Sequence, residues 1–277
     1  MPRGSYKARL AVFVTAALLL FGFAIHTSAM VMVPRHALDA TAYAEVVRKK
    51  ATCPDGDCFV EYIFLDNGTA VRLQFKTPDY TGKADITVRR ASADAAAEVL
   101  TATSAYLKDK TPPEDWDKKD NKVYAFDGTK PASFASTETP AFTALFEKAE
   151  STFNAAPPAP DFYLHSYYQP LTGDTGDFHV FADGTVIISL FAQKSDKLLA
   201  TSLYTYDDAA FAALRDKAAA AAQSILKTDY KKCPADSGMQ YALMEIQAEG
   251  HYAKTYFCPG SANDAAADLL QLLRSKK

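Results

Sequence analysis

The feature that most constrains the fold is a similarity between the two halves of the sequence. At an offset of 116 residues, the Asn-Gly-Thr of residues 67–69 falls on the Asp-Gly-Thr of residues 183–185, and the polar Ser92 falls on Asp208. An Asn-Gly or Asp-Gly pair between two runs of alternating hydrophobic residues predicts a β-hairpin, because such turn residues adopt positive φ at little cost. Each half is therefore predicted to open with a hairpin, and the similarity suggests a duplication.

The pattern around each hairpin predicts an α+β fold. Alternation of apolar and polar residues indicates strands, and alanine-rich segments indicate helices. In the first half the predicted strands are 58–65, 69–76, 84–90 and 123–126, and the predicted helices are 92–108 and 139–153. In the second half the predicted strands are 162–169, 178–182, 185–192, 198–206, 240–247 and 251–257, with helices after Asp207 and Ser261. The aromatic strand at 162–169 has no clear counterpart in the first half.

These elements predict two tandem related modules, each an antiparallel sheet that consists of a hairpin plus a third strand and is packed by two helices. Module 1 is predicted at 57–154 and module 2 at 161–277. Residues 155–160 are predicted to be a linker, because they are rich in proline, which favours an extended connector. Residues 34–56 are predicted to be a tether that ends in the start of a disulfide loop. The sequence leaves open whether the two modules pack as one body.

Residues 1–33 have the pattern of an export signal. Three basic residues precede an uncharged, largely apolar run at 10–25. Thr27 and Ala29 occupy the −3 and −1 positions of an acceptable cleavage site, which predicts a signal peptide. Counting on to Val33 instead gives a segment long enough to span a membrane, which predicts an N-terminal membrane anchor. Both interpretations place the rest of the chain outside the cytoplasm, periplasmic or secreted after cleavage and single-pass membrane-anchored without it.

The four cysteines, Cys53, Cys58, Cys233 and Cys258, are an even number in a chain that is predicted to be exported. Oxidising compartments favour disulfides, and the simplest arrangement pairs Cys53 with Cys58 and Cys233 with Cys258. Zinc is disfavoured, because four residues separate the first two cysteines and no second pair matches that spacing. The sequence therefore predicts two local disulfides, with other connectivities still open.

The charge of the chain argues against nucleic acid as a partner. The formal net charge is −3, and without the three basic residues of the N-terminal segment 27 basic residues stand against 33 acidic ones. No basic run offsets this excess, so phosphate backbones would be repelled. Membrane contact is expected only through the N-terminal segment. The expected partner is an unknown protein or small ligand.

No catalytic motif stands out in the sequence. It contains no Gly-x-Ser-x-Gly nucleophile elbow, no Walker-type phosphate loop and no Gly-x-Gly-x-x-Gly pattern. His165, His179 and His251 all lie in the second half, yet they lack the His-x-His or His-x-x-x-His spacing of a metal site. We therefore predict no catalytic residue, no cofactor and no metal, and the sequence favours a binding protein over an enzyme.

The aromatic strand that opens the second half is the candidate ligand-binding surface. Alternation sends Tyr163, His165 and Tyr167 to one face of this strand. If it pairs antiparallel with the following strand, the expected register sets Tyr167 beside His179 and His165 beside Phe181. The resulting aromatic patch would stack on a ring or a sugar and offer titratable hydrogen bonds. The alternative is that the strand packs between the two halves or under a helix.

The sequence as a whole predicts an exported, non-catalytic binding protein or envelope-associated protein of unknown ligand. Two alternatives stay open. One is an exported hydrolase whose active site no motif reveals, since a Ser-His-Asp site is assembled from residues far apart in the chain. The other is the outer domain of a membrane-anchored assembly factor.

Overall fold

The computed structural model describes residues 40–50, 58–77, 83–115, 118–170, 172–192, 197–224, 239–258 and 264–274. Within these ranges it contains twelve strands, which form two six-stranded antiparallel sheets, and four helices. The predicted mixture of helices and antiparallel sheets is therefore confirmed. No helix among these residues is long and apolar enough to cross a membrane. The predicted export segment, residues 1–33, lies outside the described ranges.

The first sheet is formed by the first half of the chain. Its strands are β1 (Tyr43–Lys49), β2 (Phe59–Leu65), β3 (Thr69–Phe75), β4 (Ala84–Arg90), β5 (Asn121–Phe126) and β6 (Pro131–Ser136), and the helices of this half are α1 (Ala93–Leu107) and α2 (Pro140–Ala155). The strand order across the sheet is β4-β3-β2-β1-β5-β6. β1 is therefore a central strand, paired with β2 on one side and with β5 on the other.

The second half of the chain builds the same arrangement. Its strands are β7 (Phe162–Pro170), β8 (Thr175–Phe181), β9 (Thr185–Phe191), β10 (Leu198–Thr205), β11 (Met239–Ala248) and β12 (His251–Phe257), and its helices are α3 (Asp208–Ser224) and α4 (Asp264–Arg274). The strand order is β10-β9-β8-β7-β11-β12. This is the order of the first sheet with each strand replaced by its counterpart, so the aromatic strand β7 corresponds to β1.

The sequence pattern does not predict two strands of the first half, β1 and β6. β1 lies within residues 34–56, which the sequence assigns to a tether, and β6 lies between a predicted strand and a predicted helix. The prediction that the first half has no counterpart of the aromatic strand is therefore wrong. Both misses have a compositional reason. β1 carries Glu45, Arg48 and Lys49 among its apolar residues, and Phe134 is the one large apolar side chain of β6.

The two predicted hairpin turns form at the expected residues and share one geometry. Gly68 and Gly184 have φ angles of 94° and 80°. In each turn the side chain before the glycine, Asn67 or Asp183, accepts a hydrogen bond from the backbone N–H of the threonine that follows. Glycine adopts positive φ without the steric cost that a Cβ imposes, which explains why it suits this position in both turns.

Three clusters of buried hydrophobic residues divide the molecule into layers. The first, which we call the inter-sheet core, includes Ile63 and Val71 from the first sheet and Phe181 and Ile187 from the second. A second cluster contains other residues of the first sheet together with residues of α1 and α2. A third contains other residues of the second sheet together with residues of α3 and α4. The two sheets therefore share a core between their inner faces.

The two sheets are joined where the repeated turns meet. Asp183 in the second turn accepts hydrogen bonds from Asn67 Nδ2 at 2.6 Å and from Thr69 Oγ1 at 2.7 Å, both in the first turn. Arg90 Nη1 lies 3.5 Å from the same carboxylate. The two predicted turns thus contact each other, and their hydrogen bonds join one sheet to the other.

The predicted linker at 155–160 runs beside the edge strand β4. The backbone N–H of Arg90 donates to the Pro157 carbonyl at 2.9 Å, and that of Ala159 donates to the Val88 carbonyl at 3.1 Å. The segment that connects the two halves is therefore hydrogen-bonded to the first sheet.

Candidate functional site between the sheets

The side chains of β7 divide between two faces as their alternation predicts. Tyr163 lies in the inter-sheet core, whereas Leu164 lies in the cluster that includes α3 and α4. Because alternate residues of a strand share a face, His165 and Tyr167 lie on the inner side with Tyr163. Tyr163 and His179 are buried there rather than exposed on a surface patch. One face of the strand thus packs between the two sheets, and the other faces α3 and α4.

The predicted register between β7 and β8 is wrong by two residues. The antiparallel pairing forms as expected, but His165 pairs with His179 and not with Phe181. The reason is that β8 begins earlier than predicted, at a glycine-containing segment. Gly176 pairs with Tyr168, and a Cβ at Gly176 would lie 2.1 Å from the Tyr168 ring. The missing side chain leaves room for the aromatic ring and so permits the observed register.

This register brings two histidines and a carboxylate together. The rings of His165 and His179 stack with their centroids 4.8 Å apart and an interplanar angle of 13°. His165 Nε2 lies 2.7 Å from Asp177 Oδ1, and His179 Nε2 lies 3.3 Å from Asp177 Oδ2. Both imidazoles therefore direct Nε2 toward the same carboxylate. Tyr167 pairs with Asp177 across the ladder and lies beside this group.

The other nitrogen of each ring also has a partner. His165 Nδ1 lies 3.2 Å from Glu245 Oε2, and His179 Nδ1 lies 2.6 Å from the hydroxyl of Tyr163. Glu245 reaches His165 because β11 pairs with β7 and sets these two residues opposite each other. With both nitrogens engaged, each imidazole is held in one orientation.

Glu245 is held by two further side chains. Its Oε1 accepts a hydrogen bond from the Tyr252 hydroxyl at 2.9 Å and lies 3.1 Å from Lys254 Nζ. The Tyr252 hydroxyl in turn accepts a hydrogen bond from the backbone N–H of Ala84, in the first sheet, at 3.1 Å. The side chains of Glu245 and Lys254 are 1% and 8% exposed. The network therefore extends from β7 through β11 and β12 to an edge of the first sheet.

Two glutamates of the first sheet lie on the inner face as well. Glu45 stands two residues after Tyr43 in β1, and Glu61 stands two residues before Ile63 in β2, so each shares a strand face with a residue of the inter-sheet core. Both glutamates are partly buried. The first sheet thus adds two carboxyl groups to the network. We call the whole group the inter-sheet polar cluster, and its members are Glu45, Glu61, His165, Asp177, His179 and Glu245.

The two glutamates of the first sheet hold their protons more tightly than free glutamate does. Burial raises the pKa of Glu45 well above its usual value, and repulsion from Glu61 and Asp177 adds to this effect. Burial raises the pKa of Glu61 to about 8, and the attraction of His165 does not offset it. Both shifts favour the protonated form of these glutamates.

In the second sheet, ion pairing shifts the pKa values of three groups more than burial does. Burial alone would lower the pKa of His165, but Asp177 and Glu245 raise it to about 10. Burial would raise the pKa of Asp177, but His179 and His165 hold it well below its usual value. Burial likewise acts against ionisation of Glu245, and His165 and Lys254 nevertheless lower its pKa. Ion-paired groups of the second sheet thus face two acids of the first sheet whose pKa values are raised.

Sequence reasoning missed the acidic members of this cluster. Asp177 stands two residues before His179 in a strand, and this spacing places both side chains on one face, so the Asp-x-His pattern is a readable signal. Glu245 has no local signal, because only the pairing of β11 with β7 brings it to His165. His251 is exposed at the start of β12 and lies outside the cluster.

Cys58 and Cys258 are both disulfide-bonded. Their expected partners, Cys53 and Cys233, lie outside the described residues, so the pairing stays a prediction.

No protein-family model and no curated protein matches this sequence. The geometry of the inter-sheet polar cluster is therefore the basis for a functional proposal.

Proposed function

We propose that the protein is an exported, non-catalytic binding protein that holds a cation in the inter-sheet polar cluster. The observation that carries this proposal is the convergence of four carboxyl groups, from both sheets, around two histidines. The pKa values of Glu45 and Glu61 are raised, so the cluster disfavours ionisation of all four carboxyl groups at once. A bound cation would favour it, because a positive charge stabilises ionised carboxylates beside it.

The exposure of the cluster supports a small ligand. The side chains of His165 and Asp177 are 14% and 18% exposed, so an ion would reach the cluster from their side without separating the sheets. Tyr163, which the sequence suggests as a stacking platform for a ring or sugar, is fully buried. A ligand larger than an ion or a small cationic group would have to displace part of the inter-sheet core.

The partners of the two histidines support binding over hydrolysis. A serine or cysteine nucleophile is activated by a hydrogen bond to a histidine. Within the described part of the chain, His165 bonds to Asp177 and Glu245, and His179 bonds to Asp177 and Tyr163. Neither imidazole is therefore placed to act as the base of such a nucleophile.

We also propose that this binding protein acts outside the cytoplasm and arose by duplication. Disulfide bonding of Cys58 and Cys258 supports a location outside the cytoplasm. The equal strand order of the two sheets and their matching turns support an origin by duplication, with each pair of helices covering its own sheet. The binding site then lies at the junction of two related modules.

Cation binding is tested by thermal unfolding and equilibrium dialysis of tag-free protein with Mg²⁺, Ca²⁺, Mn²⁺, Zn²⁺ and small organic amines. We expect at least one of these cations to raise the melting temperature with increasing concentration, because a ligand that binds only the folded state stabilises it. Asp177→Asn should remove the shift. His251→Ala, which changes an exposed histidine outside the cluster, should keep it. If none of the cations binds, the proposed function is wrong.

A further inference from the structure

The inter-sheet polar cluster contains donor atoms with the spacing of a metal site. His165, Asp177 and His179 each offer one ligand atom, and these three atoms lie within 4.8 Å of one another. Donors around a tetrahedral zinc ion lie about 3.3 Å apart, given metal–ligand bonds of about 2.0 Å. The two imidazole Nε2 atoms lie 2.7 and 3.3 Å from the oxygens of Asp177. Small side-chain rotations would therefore bring all three donors around one ion.

The second ring nitrogens are engaged in the way that metal-binding histidines require. A histidine that binds a metal through one nitrogen typically donates from the other to a carboxylate or another oxygen, which fixes the ring. His165 Nδ1 has Glu245 as this partner, and His179 Nδ1 has the Tyr163 hydroxyl. Lys254 and Tyr252 hold Glu245 in turn. The donor side chains are thus held in place by hydrogen-bonding partners, and two histidines on a solvated surface would lack such partners.

The chemistry of the donors selects the class of ion. Imidazole nitrogen suits zinc, copper, nickel and iron, whereas magnesium and calcium prefer sites composed of oxygen. Two of the three donors here are imidazole nitrogens, and the third is a carboxylate. Glu45 and Glu61, on the inner face of the first sheet, are candidates for a fourth ligand. The set therefore favours a zinc-class ion over a hard cation.

We propose that His165 Nε2, the Asp177 carboxylate and His179 Nε2 bind a divalent transition-metal ion of the zinc class. This inference rests on the proposed function, because it names the cation that the cluster holds. The competing account is that His165 is a permanent cation between Asp177 and Glu245, in which case the network only stabilises the packing of the sheets.

A metal titration separates these accounts. Tag-free full-length protein is freed of metal with a chelator and titrated with Co²⁺, which reports its coordination through visible absorption. We expect one Co²⁺ per chain with the intense bands of a tetrahedral site. Zn²⁺ should abolish these bands by displacement, because it binds nitrogen and oxygen donors more tightly than Co²⁺ does. Weak, octahedral-type absorption that Zn²⁺ does not displace would overturn the inference.

Substitutions then locate the ion. His165→Gln and Asp177→Asn should each weaken Zn²⁺ binding more than about 100-fold, since loss of an outer-shell partner alone costs about 10-fold to 100-fold. Glu245→Gln removes such a partner and should cost about 10-fold to 100-fold. His251→Ala should bind as tightly as the unchanged protein. Unchanged affinity in the His165 and Asp177 variants would mean that the ion binds elsewhere.

The outcomes also separate this inference from the proposed function. Binding of Ca²⁺, Mg²⁺ or an amine without Zn²⁺ would overturn the metal class and leave a cation-binding cluster. Absence of all cation binding would overturn both. Circular dichroism identifies a variant that does not fold. In that case the Co²⁺ spectrum of the unchanged protein and the Zn²⁺ affinity of the Glu245→Gln variant still decide whether the cluster binds a zinc-class ion.

Discussion

The inner faces of the two sheets have the same framework and carry different chemistry. Tyr43 in β1 and Tyr163 in β7 occupy equivalent positions, because each pairs with the last residue of the following strand. Both tyrosines are fully buried. Two residues further along these strands stand Glu45 in the first half and His165 in the second. The tyrosine is common to both faces, and the titratable residue beside it is not.

The neighbouring strands differ in the same way. Glu45 pairs with Ile63, whereas His165 pairs with His179. The first face therefore contributes one acid and one aliphatic side chain at the two positions where the second contributes a pair of imidazoles. Neither half alone therefore contains the inter-sheet polar cluster. If the halves arose by duplication, the two histidines are the residues of the candidate site that diverged most clearly from their counterparts, Glu45 and Ile63.

The largest effect on stability is expected for Lys254, whose counterpart in the first half is uncharged. Lys254 pairs with Glu245 while both side chains are nearly buried. Lys254→Met should lower the free energy of unfolding by about 3 kcal/mol, because breaking a buried ion pair leaves one charge uncompensated. Urea unfolding measures this cost. Adding Glu245→Gln to Lys254→Met should recover part of the stability, because the uncompensated charge is then absent.

Ser133 provides the matched control in the first half. It pairs with Tyr124 in β5 as Lys254 pairs with Glu245 in β11, so it occupies the position of the lysine. Ser133→Ala should change the free energy of unfolding by less than about 1 kcal/mol. Equal losses in the Ser133 and Lys254 variants would contradict the view that the second half alone carries a charged network at this position.

The next effect compares the two hairpin turns, where the halves are most alike. A Cβ at Gly68 would lie 2.3 Å from the backbone oxygen of Ala91, whereas a Cβ at Gly184 would lie 3.2 Å from the Phe211 ring. Both substitutions to alanine place an L residue at positive φ, which costs about 1–2 kcal/mol. Gly68→Ala should lower the free energy of unfolding by about 3 kcal/mol in total, because its Cβ overlaps with backbone. Gly184→Ala should lower it by only about 1 kcal/mol, the lower end of the cost of positive φ. Urea unfolding of both variants would refute this if Gly184→Ala were the more damaging.

Much of the fold is predictable from the sequence because its signals are local. The Asn-Gly and Asp-Gly turns, the alternation of β3 and β9 and the cap at Ser92 each depend on residues close in the chain. β1 is the counterexample, since its charged residues conceal a central strand. Only its pairing with β2 and β5 makes a strand of that composition stable, and such long-range pairing has no sequence signature.

The candidate site is likewise predictable from the sequence only in part. Tyr163, His165, Tyr167 and their shared face follow from alternation alone, and the structure places them on the inner side of β7. The register that sets His165 against His179 depends on how Gly176 accommodates a tyrosine ring, which is a matter of three-dimensional packing. Glu245 arrives from a strand about 80 residues away in the chain, so its place beside His165 could not be predicted from local sequence.

The smallest effect is expected from the two equivalent tyrosines, and it tests the comparison most directly. The Tyr163 hydroxyl lies 2.6 Å from His179 Nδ1, whereas the Tyr43 hydroxyl lies 3.4 Å from Ser189 Oγ. Tyr163→Phe leaves a buried imidazole nitrogen without its partner, so it should cost about 1–3 kcal/mol. Tyr43→Phe gives up a long contact and should cost less than about 1 kcal/mol. Urea unfolding measures both losses, and nitrogen chemical shifts of the His179 ring should move in the Tyr163 variant alone. Equal losses in the two variants, with unchanged His179 chemical shifts, would show that Tyr163 supports only the packing of the sheets, as Tyr43 does, and does not hold His179.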